Sequence, residues 1–215
     1  MQQHHFPTSR TARYFTLGKP GKHVRQVWFA CHGYGALANE FLERFRPLDD
    51  GTRLIVAPEG LSRYYTDHAE REVGASWMTS EDRLAEITDY VSYLDGLYHH
   101  LCAELDRGSV AVYVLGFSQG VHTAARWLTH GAIMPKRLIL WGHVLPPDMD
   151  LEVAWGKLED SRLTFVIGTR DRTIAPATVE AMEERLLEHG IPYETIHFNG
   201  GHRLDERVLK SLAGA

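Results

Sequence analysis

The chain reads as an α/β domain in which a mostly parallel sheet carries helices on both faces. Three observations predict this class. Short apolar, β-branched runs alternate with amphipathic stretches along the chain, the pattern of repeated strand–helix–strand units. One run, residues 110–115, passes through Gly116-Phe117-Ser118-Gln119-Gly120 straight into a helical pattern. Two later strand-like runs each end in a polar loop, one holding Asp171 and the other His202. A length of 215 residues suits one domain over 1–215, with no separate lid domain.

The elements follow in order. Residues 13–17 read as an edge strand before Gly18-Lys19-Pro20-Gly21. Residues 25–31 form a buried strand that ends in His32-Gly33-Tyr34-Gly35, and residues 53–57 a core strand stopped by Pro58. Residues 59–78 lack a clean period and are expected to be a long irregular connection. Thr79-Ser80-Glu81-Asp82 resembles a capping box. It opens a helix with Leu84, Ile87, Val91, Leu94, Tyr98, Leu101 and Leu105 at helical spacing. After Ser118, the residues Val121, Ala124, Ala125 and Leu128 mark a second helix. Strands are expected over 136–141 and 162–168, with a helix running from Pro176 to about Gly190. A last strand, 193–198, breaks at Asn199-Gly200-Gly201-His202 and is followed by a short helix marked by Leu204, Val208 and Leu212.

Gly116-x-Ser118-x-Gly120 between strand and helix is the pattern of a nucleophile elbow, where only small residues fit two positions either side of the serine. A tight turn whose serine merely caps the helix would look the same, so the partners decide. A serine hydroxyl is a poor nucleophile at neutral pH. It needs an imidazole to take its proton, and a carboxylate to hold that imidazole in the right tautomer. His202 and Asp171 supply these, each just past its own strand and in the order Ser, Asp, His. Asp148 is the rival acid, but Pro146 and Pro147 place it in a wandering loop. An oxyanion hole needs two backbone donors: Gln119, after the nucleophile, and Tyr34, in the early His-Gly loop. His32 is expected to shape that loop by hydrogen bonding.

These motifs resemble the phospholipase/carboxylesterase family of α/β-hydrolases, which includes acyl-protein thioesterases. Gly116–Gly120 resembles its nucleophile motif and His32–Gly35 its oxyanion loop. Gly200-Gly201-His202 resembles its histidine motif, and Gly168-Thr169-Arg170-Asp171 its Gly-x-x-Asp element. Ala57-Pro58 and Trp77 are similar to family positions near the cleft. Two departures leave the triad intact: Ala36 stands where the family often has Asp, and Ile174-Ala175-Pro176 replaces a nearer Val-Pro. The resemblance implies the α/β-hydrolase fold and a serine hydrolase that works without cofactor or metal. Its expected substrate is a small-molecule ester of small to medium acyl chain, or a thioester. Lysophospholipase or acyl-protein thioesterase activity is the enzymatic alternative, and a non-catalytic small-molecule binder on the same fold the alternative of another class. Tyr64, Tyr65, Trp77, Trp141 and His143 are candidates for the substrate pocket, although Trp77 and Trp141 also suit the core.

Composition narrows the partners. The net charge of −5 and scattered Lys and Arg argue against a nucleic-acid surface. No apolar run reaches membrane-spanning length, and the first residues lack a signal-peptide core. Cys31 and Cys102 read as two buried thiols, which favours the cytoplasm. Neither the paired histidines His4-His5 and His99-His100 nor any other spacing suits a metal. The oligomeric state is left open.

Overall fold

A computed structural model describes residues 1–103, 105, 110–158 and 161–214. The strands are β1 (Tyr14–Leu17), β2 (Gln26–Cys31), β3 (Arg53–Pro58), β4 (Ser62–Asp67), β5 (Glu72–Ser76), β6 (Ala111–Phe117), β7 (Arg137–Trp141), β8 (Arg162–Gly168) and β9 (Tyr193–Phe198). The helices are α1 (Ala38–Glu43), α2 (Arg83–Cys102), α3 (Gln119–His130), α4 (Leu151–Leu158), α5 (Pro176–Glu188) and α6 (Glu206–Gly214). Seven strands make one sheet in the order β1-β3-β2-β6-β7-β8-β9. Only β1, at the edge, runs antiparallel to its neighbour.

Alternation along each strand builds the two layers, because successive side chains point to opposite faces. Val27 and Phe29 of β2, Val114 of β6 and Phe165 of β8 share one core with residues of α2, α3, α4 and α5. Trp28 and Ala30 of β2, Leu115 of β6 and Val166 of β8 share the other with α1 and α6. In that second layer the rings of Trp28 and Tyr113 stack at 4.6 Å. Both faces of the sheet are thus covered, as near-continuous apolar strands require. Cys31 and Cys102 are both buried.

Several expectations are corrected. Residues 59–78 are not irregular: they contain the antiparallel hairpin β4–β5. The hairpin escapes periodicity because every β4 side chain is polar or phenolic and its turn lacks the usual glycine signal. Arg71 adopts φ +56° at the turn instead. The capping box does not form. Asp82 stands at the N-cap of α2 with φ +48° and makes no capping bond, whereas the Thr79 N–H donates to Glu86 Oε2 at 2.6 Å. Helix α2 ends at Cys102, so Leu105 lies beyond it. The short helices α1 and α4 add to the expected set.

Candidate active site

Register brings the site together. Cys31 is level with Gly116, Phe117 with Trp141, and Gly168 with Phe198. The residues that follow β2, β6, β7, β8 and β9 therefore leave the same edge of the sheet, the carboxyl edge where open α/β sheets carry their sites.

Ser118 sits between β6 and α3 with φ +54° and ψ −118°, a conformation costly for a side-chain-bearing residue. Its N–H donates to the Trp141 carbonyl at 2.9 Å. The flanking glycines are required sterically. A Cβ on Gly116 would stand 2.2 Å from the Gly120 oxygen, and one on Gly120 would stand 2.1 Å from the Cys31 oxygen. Gln119 is the first residue of α3, so its backbone N–H has no intrahelical acceptor. Its side chain spans to the end of the hairpin: Nε2 donates to the Met78 carbonyl at 2.8 Å, and Oε1 accepts from the Trp77 N–H at 3.1 Å.

His202 and Asp171 meet across the β8 and β9 loops. His202 Nδ1–H donates to Asp171 Oδ2 at 2.7 Å. The Asp171 side chain is 1% exposed and that of His202 27%. Thr173, a residue the sequence reading passed over, holds the other carboxylate oxygen: its N–H and hydroxyl donate to Asp171 Oδ1 at 2.9 and 2.6 Å. Thr173 Oγ1 also lies 3.0 Å from His202 Nδ1. Burial opposes ionisation of Asp171, but the bonds from Thr173 and His202 outweigh it and hold the carboxyl below its ordinary value. Gly142, with φ +70°, leaves room for the imidazole; a Cβ there would stand 3.1 Å from His202 Cε1. The weak signal for Thr173 was its place two residues after a loop Asp, the spacing of a side-chain-closed turn.

The loop after β2 reaches Ser118 from the other side, since a Cβ on Gly33 would stand 3.2 Å from Ser118 Cβ. Buried His32 fixes this loop, as expected. Its Nδ1–H donates to the Gly33 carbonyl at 2.7 Å and its Nε2 accepts from the Gly60 N–H at 2.9 Å. Burial lowers its pKa, which keeps the ring neutral. The Gly35 N–H donates to the Ala75 carbonyl at 2.9 Å and the Ala36 N–H to the Gly33 carbonyl at 3.3 Å, while the Tyr34 N–H has no acceptor among the described residues. The hairpin is thus docked on the loop, which is why it forms despite its polar first strand. Its start is anchored by Glu59, buried after β3, which accepts two bonds from Arg13, at 2.6 and 2.9 Å.

The expected pocket residues separate. Trp77 and Trp141 are each 1% exposed, so they belong to the core and do not line a pocket. Trp77 Nε1–H donates to the His32 carbonyl at 2.9 Å, and Trp141 Nε1–H to the Arg203 carbonyl at 3.0 Å. Each tryptophan therefore braces a loop of the site from behind. Trp77→Ala should cost about 3–5 kcal/mol of stability, read as a lower melting temperature. An unchanged melt with altered acyl-length preference would return Trp77 to the pocket. Tyr64 faces the loop, its ring 5.4 Å from that of Tyr34, whereas Tyr65 turns to the other side of β4 against His68. Half-buried His143 follows Gly142 and packs edge-on against His122, ring centroids 4.4 Å apart. Asp148, the rival acid, is engaged elsewhere: it pairs with Arg126 at 2.9 Å and with Arg83, and these bonds overcome burial to pull it down to about 2. An open recess of about 530 Å³ lies at Thr169, Arg170, Asp171, Arg172 and Gly201. Among the described residues, no group of three or more His, Cys, Asp or Glu is arranged to hold a metal ion, and no helix is long and apolar enough to cross a membrane.

No protein-family model and no curated protein matches the chain. Solved structures do. Acyl-protein thioesterase 2 from Zea mays superposes with a TM-score of 0.69 at 15% identity, over 95% of this chain and 99% of that one. A carboxylesterase from Mesorhizobium loti gives 0.67 at 20% identity, over 95% of each chain. The chain has the α/β-hydrolase fold. A Bacillus cereus carboxylesterase shares this fold, with a TM-score of 0.67 at 16% identity over 94% of this chain and 92% of that one. Ser118, Asp171 and His202 follow β6, β8 and β9 of this one sheet, in that chain order.

Thr173→Val is expected to lower turnover about tenfold, the scale of a lost hydrogen bond to a charged group. Thr173→Ser should restore it, since the hydroxyl is kept. Wild-type turnover of an ester by the valine variant would show that the bond is only structural.

Proposed function

We propose that the protein is a serine hydrolase that cleaves carboxylic esters of small to medium acyl chains through an acyl-enzyme. Ser118 Oγ attacks the acyl carbon as His202 Nε2 accepts its proton. The backbone N–H groups of Tyr34 and Gln119 hold the oxyanion, stabilising charge that develops only in the transition state. His202 returns the proton to the departing alcohol. Water, deprotonated by the same nitrogen, then attacks the acyl carbon; the ester bond to Ser118 breaks, Nε2 returns the proton to Ser118 Oγ, and the carboxylic acid leaves. Asp171 keeps Nδ1 protonated and orients the ring, and Thr173 is a positioning residue that acts through Asp171.

The observation that carries this reading is the 2.7 Å bond between His202 Nδ1 and a buried Asp171 carboxylate, at the strand edge that also presents strained Ser118. A carboxylate that is 1% exposed and bonded on both oxygens is built to hold an imidazole. The motif resemblance to the phospholipase/carboxylesterase family supports an acyl substrate, as does the fold shared with two carboxylesterases and a thioesterase. A thioester would use the same residues with a different leaving group. Two buried cysteines in a chain with no others support work in the cytoplasm.

Labelling by a fluorophosphonate probe tests the reading, followed by an acyl-length series of 4-nitrophenyl esters. Labelling at Ser118, with rates highest for short acyl groups, is expected. No labelling would leave a binder on a hydrolase fold. A rate that climbs with acyl length and jumps above the micellar threshold would replace the short-chain reading with a lysophospholipase.

A further inference from the structure

We infer that Tyr34 and Tyr64 form an aryl-binding wall beside the reacting carbonyl, so that the preferred ester carries an aromatic ring. This deepens, and rests on, the ester-hydrolase reading above.

The placement of Tyr34 is unusual for an aromatic residue. Its backbone belongs to the loop that touches Ser118, because the position of a Gly33 Cβ is 3.2 Å from Ser118 Cβ. Tyr34 is nevertheless 62% exposed. One side of the ring packs on Tyr64, with centroids 5.4 Å apart and planes tilted by 33°. Most of the rest is open to solvent, one residue along the chain from the nucleophile's neighbour. Exposed aromatic surface at the mouth of a site, backed by a second ring, is suited to receive a third ring.

The wall is also rigid. The loop is bonded to the hairpin through Gly35 N–H and the Ala75 carbonyl at 2.9 Å. Gly74, level with Tyr64 across the hairpin, lets the loop backbone in: a Cβ there would stand 2.5 Å from the Gly35 oxygen. Gln119 clamps the end of β5 to the elbow through Met78 and Trp77. A ring bound on Tyr34 therefore meets a surface held in place beforehand, which reduces the ordering cost of binding. The buried Tyr64 hydroxyl makes no bond to the hairpin, and burial together with the neighbouring Tyr34 phenol keeps it neutral. What Tyr64 contributes is the face of its ring.

Matched ester pairs isolate the aromatic contribution from size and leaving-group reactivity. Benzyl acetate against cyclohexylmethyl acetate probes a ring on the alcohol side. Methyl 3-phenylpropanoate against methyl 3-cyclohexylpropanoate probes a ring on the acyl side. In one of the pairs the aromatic member is expected to have the higher kcat/KM by about 2- to 12-fold, the scale of a stacked pair beyond area burial, and that pair identifies the side. The ratio should fall to near one in Tyr34→Leu and in Tyr64→Ala, and persist in Tyr34→Phe and Tyr64→Phe. Being internal to each variant, it is insensitive to overall rate or to the amount of folded protein. A ratio near one in both pairs for the wild-type enzyme, or a ratio unchanged in Tyr34→Leu, overturns the aryl wall while Ser118-dependent hydrolysis of 4-nitrophenyl acetate still upholds the esterase. Absence of that hydrolysis overturns the esterase reading itself.

Discussion

Ser118→Ala is expected to lower turnover of a simple ester by about 10⁴- to 10⁶-fold, leaving the residual rate that an oxyanion hole alone provides. It should also abolish labelling by a fluorophosphonate. Folding should survive, because alanine keeps the Cβ that already fits beside Gly33 and loses only a hydroxyl oxygen. The backbone strain at φ +54° is the same for both residues. Ser118→Gly separates the two properties. It removes nucleophile and strain together, so it should be equally inactive yet more stable by about 1 kcal/mol. Kinetics and thermal melts on the three proteins check this. Turnover by Ser118→Ala within tenfold of wild type would move the nucleophile elsewhere, and a glycine variant that melts below wild type would remove the strain argument.

The turn at Ser118 and the loop positions of Asp171 and His202 were legible in the sequence because backbone geometry and strand ends constrain local spelling. Gly116 and Gly120 are dictated by backbone approaches that no side chain survives. Asp171 and His202 each follow a strand whose apolar run ends where the loop begins. The hairpin β4–β5 was not legible, because what stabilises it is docking on the loop through Gly35 and on the elbow through Gln119, and neither contact leaves a period in the strands. The six residues of α1 are too few to display a helical period. Trp77 and Trp141 were ambiguous for another reason: an indole suits a core and a pocket equally, and only burial in the fold separates them. Thr173 was hidden because a threonine in a loop is common, and its value arises from the distance to two residues, one of them 29 positions away.

Asp171→Asn is expected to lower turnover by about 10⁴-fold through the tautomer of His202, with little loss of fold. The two carboxylate oxygens have unequal partners. Oδ1 accepts from both the N–H and the hydroxyl of Thr173, whereas Oδ2 accepts from His202 Nδ1 alone among the described residues. The backbone N–H of Thr173 can only donate, so the amide oxygen of an asparagine is drawn to the Oδ1 position. Its NH₂ group is then turned towards His202. An imidazole facing a donor must present a lone pair at Nδ1 and carry its proton on Nε2, where it cannot take the proton of Ser118. Thr173→Ala in the same chain removes the hydroxyl but leaves the N–H, so it should not rescue the asparagine variant. In the wild type the carboxylate is held below its ordinary value, so its contribution to stability is present above the unfolded value near pH 4 and is lost only as pH falls through the folded one. The asparagine variant should therefore lose part of the acid sensitivity of the wild-type melt. Ester kinetics, melts between about pH 3 and 7, and nitrogen NMR of the His202 ring test these steps. An Asp171→Asn enzyme with a tenth or more of wild-type turnover would sink the assignment, as would a larger loss from Asp148→Asn, which would transfer the acid role to the carboxylate now paired with Arg126.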